Sequence, residues 1–261
     1  MDGVLIREDR GAVAHLTLNS PHNLNALSDA MLAALAAEIG RLADDPAKVV
    51  VLKGAGRAFC AGHDLKEMQA ARQAPDGGAA AFADLFARCS EVMLGLSRLP
   101  QPVIAEVHGI ATAAGCQLVA SCDMAVAAEG TRFGVNGVNI GLFCSTPMVA
   151  LTRAVPARAA FEMLVTGRFV AAEEAQRLGL VHRVVPAERL AEETAALADL
   201  VAGKLGAAVR IGKRVFYEQL ALSAEDAYAL AGAAMAENMM IPDTDEGITA
   251  FLEKRPPAWS C

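Results

Sequence analysis

AFCAGHDLKEM, residues 58–68, stands just after the run VVVLK at residues 49–53, and these two stretches read together decide the fold class. VVVLK is short, β-branched and apolar, the pattern of a buried strand, and Gly54 and Gly56 break it. Chemistry is expected beyond the end of that strand. Gly62 lets the main chain approach a ligand with no side chain in the way, and Asp64 suits the first turn of a following helix. The N–H groups near His63 then lack intrahelical partners. Such donors can bind a phosphate, a carboxylate or a developing oxyanion. The same spacing also fits an ordinary strand-to-helix loop, because glycine-rich turns are common punctuation.

The device recurs. PVIAEV, residues 102–107, reads as a second buried strand, and HGIATAAGCQLVASCD, residues 108–123, reads as a glycine- and alanine-rich turn running into an apolar helix. Ala113, Ala114 and Gly115 are small enough to leave backbone N–H groups open at that helix start. Two helix starts can then converge on one carbonyl oxygen. Elsewhere, residues 26–43 have helical spacing with Ser28 at the start, and a break at Pro75 to Gly78, a candidate flap, precedes a helix expected from about Ala80 to Arg98. After Val185 the chain is expected to turn helical, with Leu190, Ala195, Leu197, Leu200, Val201 and Leu205 as its apolar surface. Further helices are expected near residues 207–220 and 224–240.

Composition bounds the function classes. A chain of 261 residues with 54% hydrophobic content can bury a large core, and its net charge of −7 argues against general nucleic-acid affinity. The apolar stretch from Ile110 to Ala128 is interrupted by Gln117 and Asp123, so a buried helix and strand fit better than a membrane span. Cys60, Cys89, Cys116, Cys122, Cys144 and Cys261 form no CxxC pair and read as reduced thiols. The expected setting is cytoplasmic, or the mitochondrial matrix if a transit peptide was removed. No GxSxG is present for a serine nucleophile, GAGRAF fails the GxGxxG dinucleotide pattern, and Cys60 and Cys116 read as packing residues.

Five ordered stretches carry a resemblance over nearly the whole chain: SPHNLNALSDAM (20–31), AFCAGHDLKEM, HGIATAAGCQLVASCDMAVAAEGTRFG (108–134), TGRFVAAEEAQRLGLVHRVV (166–185) and EGITAFLEKRPPAW (246–259). In these the chain resembles the enoyl-CoA hydratase/isomerase, or crotonase, superfamily. The resemblance implies an α/β fold, a spiral of ββα units with a C-terminal helical segment. It divides the chain into an acyl-CoA-binding core over residues 1–194 and a helical segment over 195–261 that serves oligomerisation and covers the active site.

The same resemblance implies a thioester site whose oxyanion hole is made by the backbone N–H groups of His63 and Ala114. It places acyl-CoA contacts on His63, Asp64, Leu65 and Lys66, and late nucleotide contacts on Phe251 and Lys254, which in family structures can come from a neighbouring subunit. Lys66, Arg72, Lys254 and Arg255 are the candidate basic patch for CoA phosphates, with solvated surface charge as the competing reading for Arg72 and Arg255. The implied partners are an acyl-CoA thioester and further copies of the chain, as a homotrimer or dimer of trimers. Coenzyme A enters as part of the substrate, and no metal or separately bound cofactor is expected.

Proton removal, hydration of a conjugated alkene and decarboxylation all place negative charge on the thioester oxygen, where fixed N–H dipoles stabilise it. The surrounding side chains choose the reaction. Hydratases of the family use two glutamates, which align here with Gln117 and Gly137; neither can titrate, and no Asp or Glu occurs from Thr131 to Ala157. Asn136, Asn139, Cys144 and Ser145 lie where the family's variable catalytic positions cluster, with Ser145 also readable as a helix N-cap. A histidine at the GHD position occurs in a decarboxylase branch of the family, where it resembles an anchor for a substrate carboxylate. Three readings follow: an acyl-CoA enzyme lacking the usual carboxylates, a malonyl-type decarboxylase using His63, or a catalytically weak acyl-CoA-binding protein.

Overall fold

The computed structural model describes residues 3–260; Cys261, counted above among the thiols, lies outside the described residues. In chain order the elements are β1 (Leu5–Arg10), β2 (Val13–Leu18), α1 (Asp29–Leu42), β3 (Val49–Gly54), α2 (Leu65–Ala71), α3 (Ala79–Arg98), β4 (Val103–Val107), β5 (Ile110–Thr112), α4 (Ala114–Ser121), β6 (Met124–Ala128) and β7 (Arg132–Gly134). There follow α5 (Ser145–Ala154), α6 (Ala157–Thr166), β8 (Phe169–Ala171), α7 (Ala172–Leu178), β9 (Arg183–Val185), α8 (Leu190–Ala202), α9 (Gly206–Gln219), α10 (Ala224–Met239) and α11 (Pro242–Leu252).

The strands form two layers. A six-stranded sheet runs β1-β2-β3-β4-β6-β9, with β1 antiparallel to β2 and the remaining pairs parallel. The second layer holds β5-β7-β8 and is extended by the single-residue bridges Leu27 to His63 and Cys60 to Ala111. Each chain turn lays a strand in the large sheet, a short strand or bridge in the second layer, and then a helix. This is the expected spiral of ββα units, as in β4-β5-α4 and β6-β7-α5. Strand β5 was not anticipated by the sequence, where the stretch after His108 reads as a turn running into a helix. Its three residues pair with β7, an association that local composition does not announce.

VVVL in β3 is apolar throughout because both of its faces are covered. Val50 and Leu52 join the main core with Leu16, Phe59 and Leu96, while Val49 and Val51 turn to the other face with Ile104 and Val126, where Leu190, Leu197 and Ala198 of α8 cover them. Each fully buried Val or Leu contributes about 1.5–3 kcal/mol. Leu200, expected on that apolar surface, is instead 56% exposed. The helical period carries residues 190, 194, 197 and 198 to the sheet and leaves 200 on the opposite side.

Helix starts follow local chemistry. Ser28 caps α1 by accepting from the Met31 N–H at 3.2 Å. At the start of α3 the cap residue is Gly78, and the Asp76 carboxylate two residues earlier accepts from the N–H groups of Gly78 and Ala80 at 2.9 and 3.0 Å. Helix α9 is anchored below the large sheet, where Lys213 donates to the Leu96 and Gln101 carbonyls and to Asp123, and the Tyr217 hydroxyl donates to Asp123 at 2.7 Å. No helix among the described residues is long and apolar enough to cross a membrane.

Candidate functional site

The loop between β3 and α2 is held from two sides. Phe59 and Cys60 donate to the Ile110 carbonyl, Thr112 donates back to Cys60, and on the other side Ala61 donates to Leu24 and Leu27 to Gly62. Asn25, fully buried with φ +55°, clamps the loop from below, its carboxamide donating to the Ala55 and Ala58 carbonyls at 2.8 Å each. The sequence reading did not single out Asn25. Its signal was present, because asparagine tolerates the left-handed conformation and has a carboxamide to replace missing backbone partners.

Gly62 has φ +91°, and a Cβ on it would lie 3.0 Å from the Ala113 side chain and 3.3 Å from the Ala114 nitrogen. Glycine is therefore needed on two grounds, and its absent side chain brings the loop against the first turn of α4. Ala113, just before α4, takes φ +50° and ψ −119°. This conformation costs a non-glycine residue about 1–3 kcal/mol and is sustained by the surrounding structure. Ala113 N–H is spent on the Gly134 carbonyl, whereas the N–H groups of His63 and Ala114 have no hydrogen-bond acceptor among the described residues. Ala114 is 1% exposed and is the first residue of α4, so its open N–H sits at the positive end of the helix dipole.

The His63 imidazole packs edge-on against Phe86, with Nδ1 3.4 Å from the Leu27 carbonyl oxygen. A carbonyl only accepts, so Nδ1 carries the proton, and Nε2 is a buried acceptor without a partner. Burial lowers the pKa of His63 from the usual 6.5; the Leu27 contact opposes this shift and the charge of Arg88 adds to it. The ring is neutral at physiological pH.

Asp64 caps α2, accepting from the Lys66 N–H at 2.9 Å and from Asn23 Nδ2 at 3.2 Å. Leu65 and Lys66 are exposed on the first turn. Between α2 and α3 lies a cavity of about 130 Å³ lined by Leu27, Met68, Ala71, Phe82, Leu85 and Arg88, among others. Phe251 is 82% exposed on α11, and Lys254 follows that helix at the surface without an ion pair among the described residues. Of the other candidate cations, Arg72 lies over the Phe82 ring at 5.4 Å and Arg255 forms a forked pair with Glu246 at 2.7 and 2.9 Å. Both are occupied as structural surface charges.

Gln117 follows Ala114 by one turn and is 4% exposed, with Oε1 buried and unpartnered. Gly137 lies in a 3-10 turn (Asn136–Ile140) that folds tightly onto the backbone of Leu142. Asn136 accepts from the Thr112 hydroxyl at 2.6 Å, and Asn139 donates to the Gly167 carbonyl at 3.3 Å. Thr112 was not anticipated. Ser145 does not cap α5: Cys144 occupies the cap position, its carbonyl accepting from Met148 N–H, while the Ser145 hydroxyl turns back to the Phe143 carbonyl. Burial pushes the thiols of Cys60 and Cys116 up to about 12, which leaves them protonated and poor nucleophiles. No cluster of His, Cys, Asp or Glu suited to a metal ion occurs among the described residues.

The family model described as "Enoyl-CoA hydratase/isomerase" matches residues 8–261. The chain is 47% identical over 249 residues to the human protein named "Enoyl-CoA hydratase domain-containing protein 3, mitochondrial", covering 95% of this chain and 80% of that one. The crystal structure of that human protein superposes with a TM-score of 0.93 at 45% identity, covering 98% of this chain and 99% of the other. An enoyl-CoA hydratase crystal structure from Mycobacterium smegmatis superposes with a TM-score of 0.96 at 55% identity, covering 100% of both chains.

Proposed function

The chain belongs to the enoyl-CoA hydratase/isomerase family, and from that premise we propose that it binds an acyl-CoA thioester with the carbonyl oxygen between the N–H groups of His63 and Ala114. The observation that carries this reading is the contact of Gly62 with Ala113 and Ala114, which sets two uncommitted N–H donors at neighbouring chain starts. Negative charge that develops on the thioester oxygen is stabilised by these fixed dipoles without reorganisation of solvent. His63 to Lys66 form the near rim of this site, with Asp64 holding the rim in place as a cap, and Phe251 and Lys254 reach the nucleotide from a neighbouring subunit.

Proton handling is where the chain departs from its family. Gln117 can orient a water but cannot take its proton, and Gly137 has no side chain to offer. The geometry therefore favours a binding protein with weak hydration as a second reading of the same site. A malonyl-type decarboxylase would want a cation facing the substrate carboxylate, and the neutral, Nδ1-protonated ring of His63 presents only a lone pair.

The segment 195–261 is proposed to join subunits. Its helices expose Phe216, Leu220, Tyr228, Met235, Met239, Met240 and Leu252, apolar area that a lone subunit would leave in water. A reducing setting, cytoplasm or mitochondrial matrix, agrees with the unbridged cysteines of the core. The deciding experiment is calorimetric binding of crotonyl-, butyryl- and malonyl-CoA, together with product analysis for each ester. Micromolar binding of the first two with slow turnover is expected; failure to bind any CoA ester would remove the reading.

A further inference from the structure

A cavity of about 610 Å³, larger than the one between α2 and α3, lies between the end of α3 and one face of α9. That volume suits a small organic ligand. Its α3 wall, residues 97–100, precedes β4, so the cavity stands at the end of the large sheet opposite the loops that carry His63 and Ala114.

Three arginines line it. Arg210, Arg214 and Glu218 recur at four-residue spacing along α9 and so share one face of that helix, with Ile211 and Tyr217 beside them. Arg98 enters from the other wall, in the last turn of α3. A cation is favoured at that helix end, which accounts for its charge, yet neither Arg98 nor Arg210 has an ion-pair or hydrogen-bond partner among the described residues. Arg214 is shared between Glu218 at 3.9 Å and Glu237 at 2.8 Å, in pairs that stay about half exposed and exchange readily. Leu99, Pro100, Ile211 and the Tyr217 ring supply the apolar lining. The ring is fixed, because its hydroxyl donates to Asp123 at 2.7 Å.

The charge of this lining decides the ligand class. Three guanidiniums against the single carboxylate of Glu218 leave two positive charges, in a chain whose net charge is −7. A carboxylate would neutralise half of that excess. A phosphate monoester carries close to two negative charges at pH 7 and presents oxygens that match the guanidinium forks. Walls of one sign also concentrate such anions.

We propose that this cavity binds an organic phosphate monoester, its phosphate held by Arg98 and Arg210 and its apolar body laid against Leu99, Pro100, Ile211 and Tyr217. The site is separate from the thioester site and does not depend on it.

The test is calorimetric titration of the full-length protein with 1-naphthyl phosphate, and with 1-naphthol and inorganic phosphate as its two halves. The whole probe should bind at least about tenfold more tightly than either half. Arg98→Gln and Arg210→Gln should each weaken it by about tenfold or more, the loss expected for a charge-assisted hydrogen bond. Arg158→Gln, an equal change of charge on α6 outside the cavity, should leave it within about twofold. Arg98 and Arg210 are exposed, so these variants should fold, which thermal unfolding verifies. No saturable binding of 1-naphthyl phosphate to the wild type, or binding that folded Arg98→Gln/Arg210→Gln keeps, overturns the site. Light scattering on the same proteins separates a ligand site from a subunit contact: a double variant that loses the wild-type mass also overturns the site and assigns the arginines to an interface between copies.

Discussion

A Cβ placed on Gly137 would stand 2.3 Å from the Leu142 carbonyl oxygen and 2.9 Å from the Cys144 sulfur. Gly137, which the resemblance sets against a hydratase glutamate, is therefore closed in by main chain, because the 3-10 turn (Asn136–Ile140) folds back and Leu142 N–H donates to the Gly137 carbonyl at 2.9 Å.

Gly137→Glu should destabilise the protein by about 1–3 kcal/mol or more, because the obstructing atom is backbone and cannot rotate away. The double variant Gln117→Glu/Gly137→Glu should consequently fail to gain efficient crotonyl-CoA hydration. Urea unfolding with a spectrophotometric hydration assay checks both, and a Gly137→Glu protein as stable as wild type would contradict the closed turn.

Ala114→Pro removes one proposed oxyanion donor at the first position of α4 and also damages the helix entry, because a proline restricts the residue before it and Ala113 holds φ +50° and ψ −119°. His63→Ala keeps its backbone donor and deletes only the imidazole. Turnover of any processed CoA ester should fall about 10²–10³-fold in the first variant and less than about tenfold in the second. Equal, full activity in both folded variants would sink the oxyanion hole.

Asp64→Ala should cost about 1 kcal/mol near neutral pH through loss of the α2 cap. Burial pushes the Asp64 carboxyl upward, but the Lys66 N–H, Asn23 and the Glu67 N–H outweigh it and hold its pKa below the usual 3.8. A carboxyl lowered in this way stabilises the fold fully above its unfolded pKa and loses that contribution as pH falls through the folded value. The gap between wild type and Asp64→Ala, measured by denaturant titration, should therefore narrow as pH falls below the usual 3.8. An unchanged gap there would show that the cap does not depend on charge.

Lys213→Met should be among the most damaging single changes, costing about 3–5 kcal/mol, because it leaves the buried Asp123 carboxylate without its cation. The two side chains are only 7% and 14% exposed and meet at 2.7 Å. Denaturant unfolding should also show part of the loss recovered in Asp123→Asn/Lys213→Met. If the double variant proves no more stable than Lys213→Met alone, the stranded charge is not the cause.

Light scattering of the purified chain should give the mass of three or six copies. Tyr228 and Met240, each 82% exposed on or beside α10, mark the face expected to be covered. A monomer across a wide concentration range would count against assembly through the C-terminal helices.

Local chemistry in the chain was enough to read the strands at residues 49–53 and 102–107, the cap at Ser28 and the start of α4, because β-branched runs, cap residues and glycine breaks act over a few neighbours. It was also enough to see that Gln117 and Gly137 cannot titrate, since ionisation is a property of residue type. Strand β5, the exposure of Leu200 and the shift of the α5 cap from Ser145 to Cys144 were not legible, for each depends on which distant segment lies alongside. The site divides in the same way. The open N–H groups of His63 and Ala114 follow from their places at a loop and a helix start, but their juxtaposition needed Gly62 to meet Ala113 across the second layer. Likewise the closure of Gly137 by Leu142, the clamp of Asn25 on its loop and the neutral tautomer of His63 set by Leu27 arise only when the spiral brings distant backbone carbonyls within hydrogen-bond or van der Waals range.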